Sequence, residues 1–350
     1  MPVSTLIPVN VITGFLGSGK TTLLNHLVRR PAMADTLVVI NEFGDIGLDH
    51  RLLVEGDDQT VVELSSGCLC CTLRGDLSRT LQQASEAVER GETRAFRRVL
   101  IETSGLADPA PILHTLMTDH WLAQRFRLDG VVCLVDAANG LATLDAHRES
   151  RRQAAIADRL LISKADLVSE DHLSRLMDCL GRLNPAAEQL QVCRGVLAPD
   201  LMIGAGLHSD DGRPRIDGWL RPAAYPQRRL GDLHAQAPHP EESPHADGIQ
   251  AFCFSVAEPI RPEALENWLE LLMSLMGERV LRLKAVVHLT DRETPMALHG
   301  VQHIFHPPAP LPREAAPDGI SRFVFITHDI EAETVSELFH YFHSAKEPDT

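Results

Sequence analysis

A glycine-rich segment that ends in lysine and threonine is the clearest chemical signature in this sequence. Residues 14–21 read Gly-Phe-Leu-Gly-Ser-Gly-Lys-Thr, after an apolar run and before apolar residues with helical spacing. In this context Gly17 and Gly19 let successive backbone N–H groups point at a phosphate, and a helix N-terminus adds partial positive charge. Lys20 is expected to reach the β- and γ-phosphates, and the Thr21 hydroxyl to bind Mg²⁺. The segment predicts a nucleoside triphosphate site.

A second apolar run ends in a carboxylate that would complete the Mg²⁺ site. Residues 97–105 read Arg-Arg-Val-Leu-Ile-Glu-Thr-Ser-Gly, so Glu102 stands at the end of a predicted strand. We expect Glu102 to lie close to Mg²⁺, and the N–H of Gly105 to contact the γ-phosphate. The alternative is a solvated glutamate at a strand end with no ligand.

A third segment, Ser163-Lys-Ala-Asp166, also follows an apolar run and predicts which base is bound. An aspartate here can accept two hydrogen bonds, from N1–H and the exocyclic amine of guanine, whereas adenine has no donor at N1. The Lys164 stem would pack over the base while its charge stays in water. The alternative is that Asp166 only caps a helix. Beside the phosphate loop, guanine is the preferred interpretation.

These three segments give two sets of predicted functional residues. The residues expected to contact the nucleotide are Gly14, Gly17, Ser18, Gly19, Lys20, Thr21, Thr22, Gly105, Ser163, Lys164 and Asp166. The residues expected to act in hydrolysis are Lys20, Thr21 and Glu102, of which Thr21 and Glu102 would hold Mg²⁺.

Three of the seven cysteines are crowded into one segment, Ser65-Ser-Gly-Cys-Leu-Cys-Cys-Thr72. Adjacent cysteines make poor structural disulfides, so metal binding is the better interpretation. Thiolates select soft ions such as Zn²⁺ or Cu(I), and tetrahedral Zn²⁺ takes four ligands. Cys68, Cys70 and Cys71 supply three of them. Glu42, which follows a neighbouring predicted strand, is the candidate for the fourth.

The other cysteines and the histidines lack so clear a pattern. Four cysteines stand alone and are predicted to be buried like small apolar residues: Cys133, Cys179, Cys193 and Cys253. Histidines are concentrated after residue 200, and strand alternation is expected to place His299 and His303 on one face. Others in this group are His234, His239, His245 and His306. They either gather metal weakly or form polar surface, and we prefer polar surface.

Composition excludes several classes of protein. The 350 residues are 44% hydrophobic and carry a formal net charge of −15, which argues against a nucleic-acid binder or a protein that docks on an anionic membrane. No apolar stretch is long enough to span a bilayer. The N-terminal residues lack the pattern of a secretory signal. We therefore predict a cytoplasmic protein.

The order of apolar runs predicts a parallel α/β sheet followed by a smaller α+β domain. Predicted strands cover residues 6–12, 37–40, 61–64, 99–102, 130–135, 160–163 and 189–193, and predicted helices 20–29, 76–90, 109–118, 150–157 and 170–183. Residues 204–248, rich in Gly, Pro, His and acidic side chains, are predicted to be a linker that is at least partly disordered. A βαβββα pattern follows at 249–256, 262–276, 280–289, 296–305, 322–327 and 332–342, with a loop at 306–318. The predicted domains are 1–203, the linker, and 249–346.

Taken together, the motifs resemble the CobW-like family of metal-handling P-loop GTPases, relatives of the nickel-insertion GTPases for urease and hydrogenase. The resemblance rests on the phosphate loop, Asn41-Glu-Phe-Gly, Gly67-Cys-Leu-Cys-Cys, Glu102-Thr-Ser-Gly-Leu-Ala-Asp-Pro and Ser163-Lys-Ala-Asp, in that order. One departure stands out, because the family pattern has Asn where this chain has Ser163. That Asn normally braces both the base and the phosphate loop.

The resemblance implies a GTP-dependent metallochaperone that binds Zn²⁺ or Co²⁺ at Cys68, Cys70 and Cys71 with Glu42, and passes the metal to a client metalloprotein. No clear arginine finger or catalytic glutamine is present, so slow intrinsic hydrolysis is expected. Alternatives are a Co²⁺ carrier for cobalamin synthesis, a small-molecule kinase or ATPase with a structural cysteine site, and a redox or metal sensor that binds a partner. The client and the oligomeric state, a homodimer included, stay open.

Overall fold

The computed structural model describes residues 6–40, 60–63, 72–207, 214–225, 227–229, 248–305 and 308–344. The chain divides into two compact units, the first Met1–Leu180 with Ala187–Arg213 and the second Gly181–Ala186 with Pro214–Thr350. Among the helices so described, none combines the length and the apolar character needed to cross a membrane.

The first unit contains a seven-stranded sheet in which all neighbouring strands are parallel. In chain order the strands are β1 (Ile7–Gly14), β2 (Thr36–Ile40), β3 (Thr60–Glu63), β4 (Arg98–Glu102), β5 (Phe126–Asp136), β6 (Arg159–Ser163) and β7 (Glu188–Val192). Across the sheet they lie in the order β3-β2-β4-β1-β5-β6-β7. The predicted parallel α/β fold is confirmed, and β1 lies at its centre.

The helices of the first unit bury the apolar faces that their sequence spacing predicts. They are α1 (Lys20–Val28), α2 (Thr72–Glu89), α3 (Ala110–Thr118), α4 (His120–Ala123), α5 (Gly140–Ala146), α6 (Arg148–Ile156) and α7 (Glu170–Leu183). In α1, Leu23, Leu24 and Leu27 are fully buried, which is the i, i+1, i+4 pattern of an amphipathic helix. Two short helices, α4 and α5, are not among the predicted elements. The segment before α5, Ala-Ala-Asn-Gly, is typical of a turn.

The second unit is built on an antiparallel sheet. Its strands are β8 (Gln227–Arg229), β9 (Ile249–Val256), β10 (Val280–Val287), β11 (Met296–Val301), β12 (Ile304–Phe305), β13 (Ala309–Pro310) and β14 (Ser321–His328), and its helices are α8 (Ile216–Leu220), α9 (Pro262–Met276) and α10 (Ala332–Ser344). The strand order is β12-β11-β10-β14-β9-β8, with β13 beside β11. Among the described strands of this sheet, only the short β8 runs parallel to its neighbour, β9.

An aromatic core joins α9 and α10 to one face of this sheet. Trp268 of α9 is fully buried and its ring packs edge-on against Phe323 and Phe339, with centroid distances of 5.3 and 4.9 Å. Phe254 stacks on Phe323 at 4.8 Å. The helix spacing in α9, with Leu265, Trp268 and Leu272 buried, follows directly from the amphipathic pattern.

Two parts of the second unit differ from the sequence analysis. The strand predicted over 296–305 is a hairpin, because Gln302 adopts a φ of 53° and turns β12 back onto β11. His303 therefore lies in a turn and does not share a strand face with His299. The predicted linker also contains ordered structure, since α8 buries Trp219 and Leu220 and β8 adds to the sheet.

Candidate functional site

The phosphate loop, residues 14–21, connects the end of β1 to α1 at the C-terminal edge of the parallel sheet. Gly14, Gly17 and Gly19 have φ values of 140°, 72° and 96°, which glycine adopts without strain. A Cβ at Gly14 would also lie 2.4 Å from the carbonyl oxygen of Leu134. Both the conformation and the close approach to β5 therefore require the glycine that the motif predicts.

Lys20 is 92% buried inside this loop, with a relative exposure of 8%. Its Nζ donates to the carbonyl oxygen of Gly14 at 2.8 Å and to that of Phe15 at 3.3 Å. The ammonium group is thus held against the backbone of the loop. Phosphate oxygens carry charge and are stronger acceptors than carbonyl oxygens, so a bound phosphate would offer Lys20 a better partner.

Thr21 and Glu102 come together beside Lys20. The Thr21 hydroxyl donates to Glu102 Oε1 at 2.9 Å, and the Glu102 side chain is nearly buried. The pairing arises because β1 and β4 are neighbours in register, with Ile12 opposite Glu102. Mg²⁺ prefers hard oxygen ligands in an octahedral arrangement with several waters, and a hydroxyl with a carboxylate fits that preference.

Gly105 lies against the phosphate loop. A Cβ at this position would be 2.6 Å from Leu16 Cδ2 and 2.8 Å from the Leu16 nitrogen. The fully buried Gln153 of α6 holds the segment by donating to the carbonyl oxygens of Gly105 and Ala107, at 3.1 and 3.0 Å. The structure therefore brings Gly105 next to the loop, as its predicted role requires.

The segment after β6 contacts the same loop. Ser163 Oγ donates to the carbonyl oxygen of Ser18 at 2.7 Å. Lys164 has a left-handed φ of 56°, and its Nζ donates to the carbonyl oxygen of Gly17 at 2.9 Å. Asp166 is exposed in the short turn that follows. Two of the three predicted base-site residues therefore touch the phosphate loop directly.

Asp136, at the end of β5, is part of this site and was missed by the sequence analysis. Its Oδ2 accepts from Lys164 Nζ at 2.7 Å, and Oδ1 accepts from the backbone N–H of Ala138 at 2.8 Å. Burial raises the pKa of this carboxyl, but the bonds from Lys164, Asn139 and Ala138 outweigh burial and leave its pKa below the usual range. The one feature that could have indicated the role of Asp136 is its position at a strand end beside β6.

The loop after β7 contacts α1, the helix that follows the phosphate loop. Gly195 has a φ of 74°, and a Cβ there would lie 3.0 Å from Thr22 Cγ2 and 3.1 Å from His26 Cδ2. Cys193, at the start of this loop, is exposed. The prediction that Cys193 is buried is wrong, because the strand ends at Val192 and the turn carries the thiol to the surface.

A cavity of about 430 Å³ adjoins the phosphate loop between β5, α5 and α6. Phe15 of the loop stacks on His147, with ring centroids 4.5 Å apart. Other groups at its wall are Leu16, Ser18, Asp136, Asn139 and Ser150. Aromatic stacking therefore supports the loop in addition to the hydrogen bonds, and no sequence motif indicated the contact with His147.

The predicted metal ligands Glu42, Cys68, Cys70 and Cys71 lie outside the described residues. Within the described ranges, no three His, Cys, Asp or Glu side chains come together in a way that could hold a metal ion. His234, His239, His245 and His306 also lie outside them.

Three isolated cysteines are buried as predicted: Cys133, Cys179 and Cys253. Burial raises the pKa of the Cys133 thiol to about 12, so it stays protonated at neutral pH. It is therefore a packing residue of β5. His299 packs its ring edge-on against Trp219, with centroids 6.1 Å apart, rather than against another histidine of the described chain.

A glycine-rich loop between a parallel strand and a helix, a buried lysine within it and an adjoining threonine–glutamate pair define a P-loop nucleotide-binding protein. Residues 8–191 match the family model described as "CobW/HypB/UreG, nucleotide-binding domain". Residues 249–342 match "Cobalamin synthesis protein cobW C-terminal domain". The chain belongs to the CobW/HypB/UreG family.

Named relatives agree with this assignment. The chain is 36% identical over 190 residues to "Zinc chaperone YjiA" of Escherichia coli (strain K12), covering 54% of this chain and 58% of that protein. It is 27% identical over 314 residues to "Zinc-regulated GTPase metalloprotein activator 1" of Dictyostelium discoideum, covering 79% of this chain and 62% of that protein. The matched regions thus span about three fifths of each relative's length.

A solved structure shows the same fold. The zinc-bound YjiA GTPase from E. coli superposes with a TM-score of 0.70 at 24% sequence identity. The superposition covers 96% of this chain and 99% of that chain.

Proposed function

We propose that this protein is a GTP-hydrolysing metallochaperone that binds a divalent transition metal and transfers it to a client protein in a nucleotide-dependent way. The observation that carries the proposal is a shared sheet edge. The Thr21–Glu102 pair lies there, and the register places Ile40, the last residue of β2, opposite both Glu102 and the last residue of β3. The printed names of the relatives, a zinc chaperone and a zinc-regulated GTPase, support it.

In the proposed reaction water attacks the γ-phosphate of GTP, and GDP and inorganic phosphate are the products. Lys20 balances the charge of the β- and γ-phosphates, and the N–H groups of the loop orient them. Mg²⁺, held by Thr21 and Glu102, would neutralise the charge that develops on the phosphate oxygens. Without an arginine finger or a catalytic glutamine, we expect slow turnover in the absence of a partner.

Guanine selection is assigned to Asp166. Its carboxylate is exposed after Lys164, whose stem lies over the loop, so a base stacked there would meet an acceptor. Guanine offers two donors to a carboxylate and adenine offers none at N1. A site that is built for those two bonds rejects the base that cannot make them.

The proposed metal ligands follow the ends of β2 and β3; β2 ends beside Glu102, and β3 ends beside β2. Glu42 is two residues beyond Ile40, so its Cα is within about 7 Å of that strand end, given the reach of the chain. Cys68 follows the end of β3, at Glu63, by five residues, and Cys71 immediately precedes α2. The chain length therefore allows the carboxylate and the thiolates to meet near the Mg²⁺ ligands.

Zn²⁺ is the proposed cargo. Sites of thiolate and carboxylate accept both Zn²⁺ and Co²⁺, so the ligands alone do not select between them. The names of the relatives specify zinc, and this supports Zn²⁺ over Co²⁺ as the proposed cargo. The proposed partner is a client metalloprotein that requires this metal. The proposed location is the cytoplasm.

GTP and metal are proposed to act on one switch. Contacts to the γ-phosphate would order the segment that carries Glu42, and hydrolysis would release it and change the metal site. By thermodynamic linkage, the factor by which nucleotide alters metal affinity must equal the factor by which metal alters nucleotide affinity.

The test is a Zn²⁺ titration of the full chain with a competing chromophoric chelator, in the presence of Mg²⁺ and either GDP or a non-hydrolysable GTP analogue. We expect the two nucleotides to give Zn²⁺ affinities that differ at least fivefold, the lower range of allosteric coupling. Equal Zn²⁺ affinities with the two nucleotides would contradict the proposed switch.

The matched control variants separate the proposed site from other thiols. Cys70→Ser should weaken Zn²⁺ binding with either nucleotide, whereas Cys193→Ser, at the exposed cysteine outside the cluster, should leave both affinities unchanged. Zn²⁺ binding that survives Cys70→Ser but not Cys193→Ser would contradict the assigned ligands.

A further inference from the structure

A tight turn follows β4 and carries Gly105 beside the phosphate loop. The turn is closed by a hydrogen bond of 3.1 Å, which the backbone N–H of Ala107 donates to the Ser104 carbonyl oxygen. Just before the turn, the backbone N–H of Thr103 donates to the Ile12 carbonyl oxygen of β1 at 2.9 Å. The central sheet therefore fixes the point at which the turn begins.

The side chain of Gln153, in α6, holds the body of this turn. Its Nε2 donates to the carbonyl oxygens of Gly105 and Ala107, at 3.1 and 3.0 Å. Both partners are carbonyl oxygens, which only the NH₂ group of an amide can serve, so the contacts determine how the side-chain amide is oriented. Gln153 is fully buried, so the amide is shielded from water. One side chain thus fixes two peptide groups of the turn.

The other end of the Gln153 amide is not satisfied. Its Oε1 is buried and has no hydrogen-bond partner in the part of the chain that the structure describes. A buried acceptor without a partner lowers folding stability. Packing alone would therefore favour an apolar side chain of the same length, such as methionine. What distinguishes glutamine at this position is the pair of bonds that it donates to the turn.

The preceding residue of α6 contacts the end of the same segment. Arg152 Nη1 lies 3.2 Å from Asp108 Oδ2, and Asp108 Oδ1 accepts from the backbone N–H of Ala110, the first residue of α3, at 2.9 Å. The side chains of Arg152 and Asp108 are partly exposed, so this ion pair is weaker than bonds made by a buried group. Two consecutive residues of α6 therefore hold the turn and the residue that follows it, and the buried Gln153 contributes more.

The closed turn also determines where the N–H of Gly105 points. In a trans peptide the C=O and N–H groups point in opposite directions, so this N–H points away from the bond between Ser104 and Ala107. It lies on the outer side of the turn, and Gly105 itself packs against the backbone of Leu16 in the phosphate loop. A backbone N–H held rigidly at this place is suited to a phosphate oxygen.

We propose that Gln153 is a positioning residue that holds the Gly105 N–H for the γ-phosphate, and that it thereby favours GTP over GDP and supports hydrolysis. The inference rests on the proposed function and deepens it. Gln153 acts on the nucleotide through the turn, without contact to the nucleotide itself. Because GDP has no γ-phosphate, the affinity for GDP does not depend on Gln153.

Gln153→Met tests this role, because methionine keeps the length of the side chain and removes the donor. By calorimetry in Mg²⁺, the affinity for GDP should stay within about twofold of wild type. The affinity for a non-hydrolysable GTP analogue should fall about tenfold, the value of one hydrogen bond to a charged oxygen. In a phosphate-release assay kcat should also fall, by about tenfold or more, because the misplaced N–H no longer stabilises charge on the γ-phosphate.

Gln189→Met is the matched control. Gln189, in β7, also donates its amide to a backbone carbonyl, that of Met177 at 3.0 Å, and its Oε1 is likewise buried without a partner among the described residues. This variant should change neither affinity. Arg152→Ala should weaken binding of the GTP analogue by less than about twofold, because its ion pair with Asp108 is partly exposed.

A Gln153→Met variant that binds the GTP analogue like wild type would overturn the inference, and so would equal losses of affinity for the analogue and for GDP. If circular dichroism shows that Gln153→Met does not fold, Gln153→Asn replaces it, since the shorter amide cannot reach both carbonyl oxygens of the turn. The same two outcomes then decide. A wild-type chain that binds neither nucleotide would instead refute the proposed function.

Discussion

Different interactions stabilise two regions of the molecule, the phosphate-loop edge of the first unit and the aromatic core of the second. At the edge, Lys20, Ser163 and Lys164 each donate to a backbone carbonyl of the loop, and glycines take positive φ. In the second unit, Trp268 is fully buried and contacts aromatic rings on the sheet and on α10.

The two kinds of interaction have different effects: one fixes the geometry of the nucleotide site, and the other supplies folding stability. Apolar burial is non-directional and supplies most of the free energy of folding. A hydrogen bond between a side chain and a carbonyl contributes only about 1 kcal/mol net, but it fixes the direction of a peptide group. We therefore expect substitutions in the aromatic core to change stability alone, and substitutions at the loop to change nucleotide binding far more than stability.

The largest expected effect is that of Trp268→Ala. Loss of a fully buried indole should lower the free energy of unfolding of the second unit by about 3–5 kcal/mol. Urea denaturation followed by circular dichroism measures this loss. GDP affinity, measured in the absence of denaturant, should match wild type, and a parallel loss of GDP binding would contradict the separation of the two regions.

Lys20→Ala should produce the opposite pattern. Removing the ammonium group deletes charge-assisted bonds to phosphate, each about 1.5–3 kcal/mol, so GDP affinity should fall roughly a hundredfold. The melting temperature without nucleotide should stay close to wild type, because the bonds of Lys20 to Gly14 and Phe15 contribute little net stability. Near-normal GDP binding by Lys20→Ala would mean that the phosphates do not bind at Lys20.

Asp166→Ala should affect base choice within the same region. Because the lost acceptor serves only guanine, the ratio of GDP to ADP affinity should fall about tenfold or more, while ADP affinity hardly changes. Competition against a fluorescent nucleotide measures both constants. An unchanged ratio would mean that the base is read by another residue, the exposed Asp166 being only a turn residue.

The smallest effect is expected at Asp119, where the hydrogen bonds contribute to folding stability and not to nucleotide binding. Burial raises the pKa of its carboxyl, but bonds from Ser78 and from the backbone N–H groups of Leu122 and Trp121 outweigh it and lower the pKa. The contribution of Asp119 is therefore complete above about pH 4, the unfolded value, and is lost as pH falls through the folded pKa.

The matching variant is Asp119→Ala, which removes the cap of α4. It should cost about 1 kcal/mol of stability at pH 7, and the cost should shrink as pH falls through the folded pKa of Asp119, by urea denaturation across a pH series. GDP affinity should be unaffected. A cost that stays constant across the whole acid series would show that the charge of Asp119 is not the cause.

Most of the fold follows from local sequence patterns. The helix over 262–276 and the strand over 249–256 have the predicted limits, because a proline at the helix start and clear apolar periodicity define them. Five of the parallel strands, β1, β2, β4, β5 and β6, follow in the same way from short buried runs rich in Val, Ile and Leu. The strand β7 is less regular, because it buries only Val192. Their order across the sheet depends on long-range pairing that no local pattern encodes.

Site residues were predictable where a motif specifies the backbone conformation. They were less predictable where contacts between distant segments determine their position. The glycines of the phosphate loop follow from the motif, whereas the contact of Thr21 with Glu102 also requires β4 to lie beside β1. Asp136 carries no motif, since its role comes only from β5 and β6 lying side by side. Cys193 was misplaced because its strand ends one residue earlier than its apolar neighbours indicate.

The most direct test of the coupled site is the absorption spectrum of the Co²⁺-loaded full chain during a single turnover of GTP. The thiolate and d–d bands of Co²⁺ report its ligands and their geometry. The account predicts that these bands change as GTP becomes GDP, at the rate of hydrolysis, and that Lys20→Ala abolishes the change. Bands that stay constant while phosphate is released would contradict it.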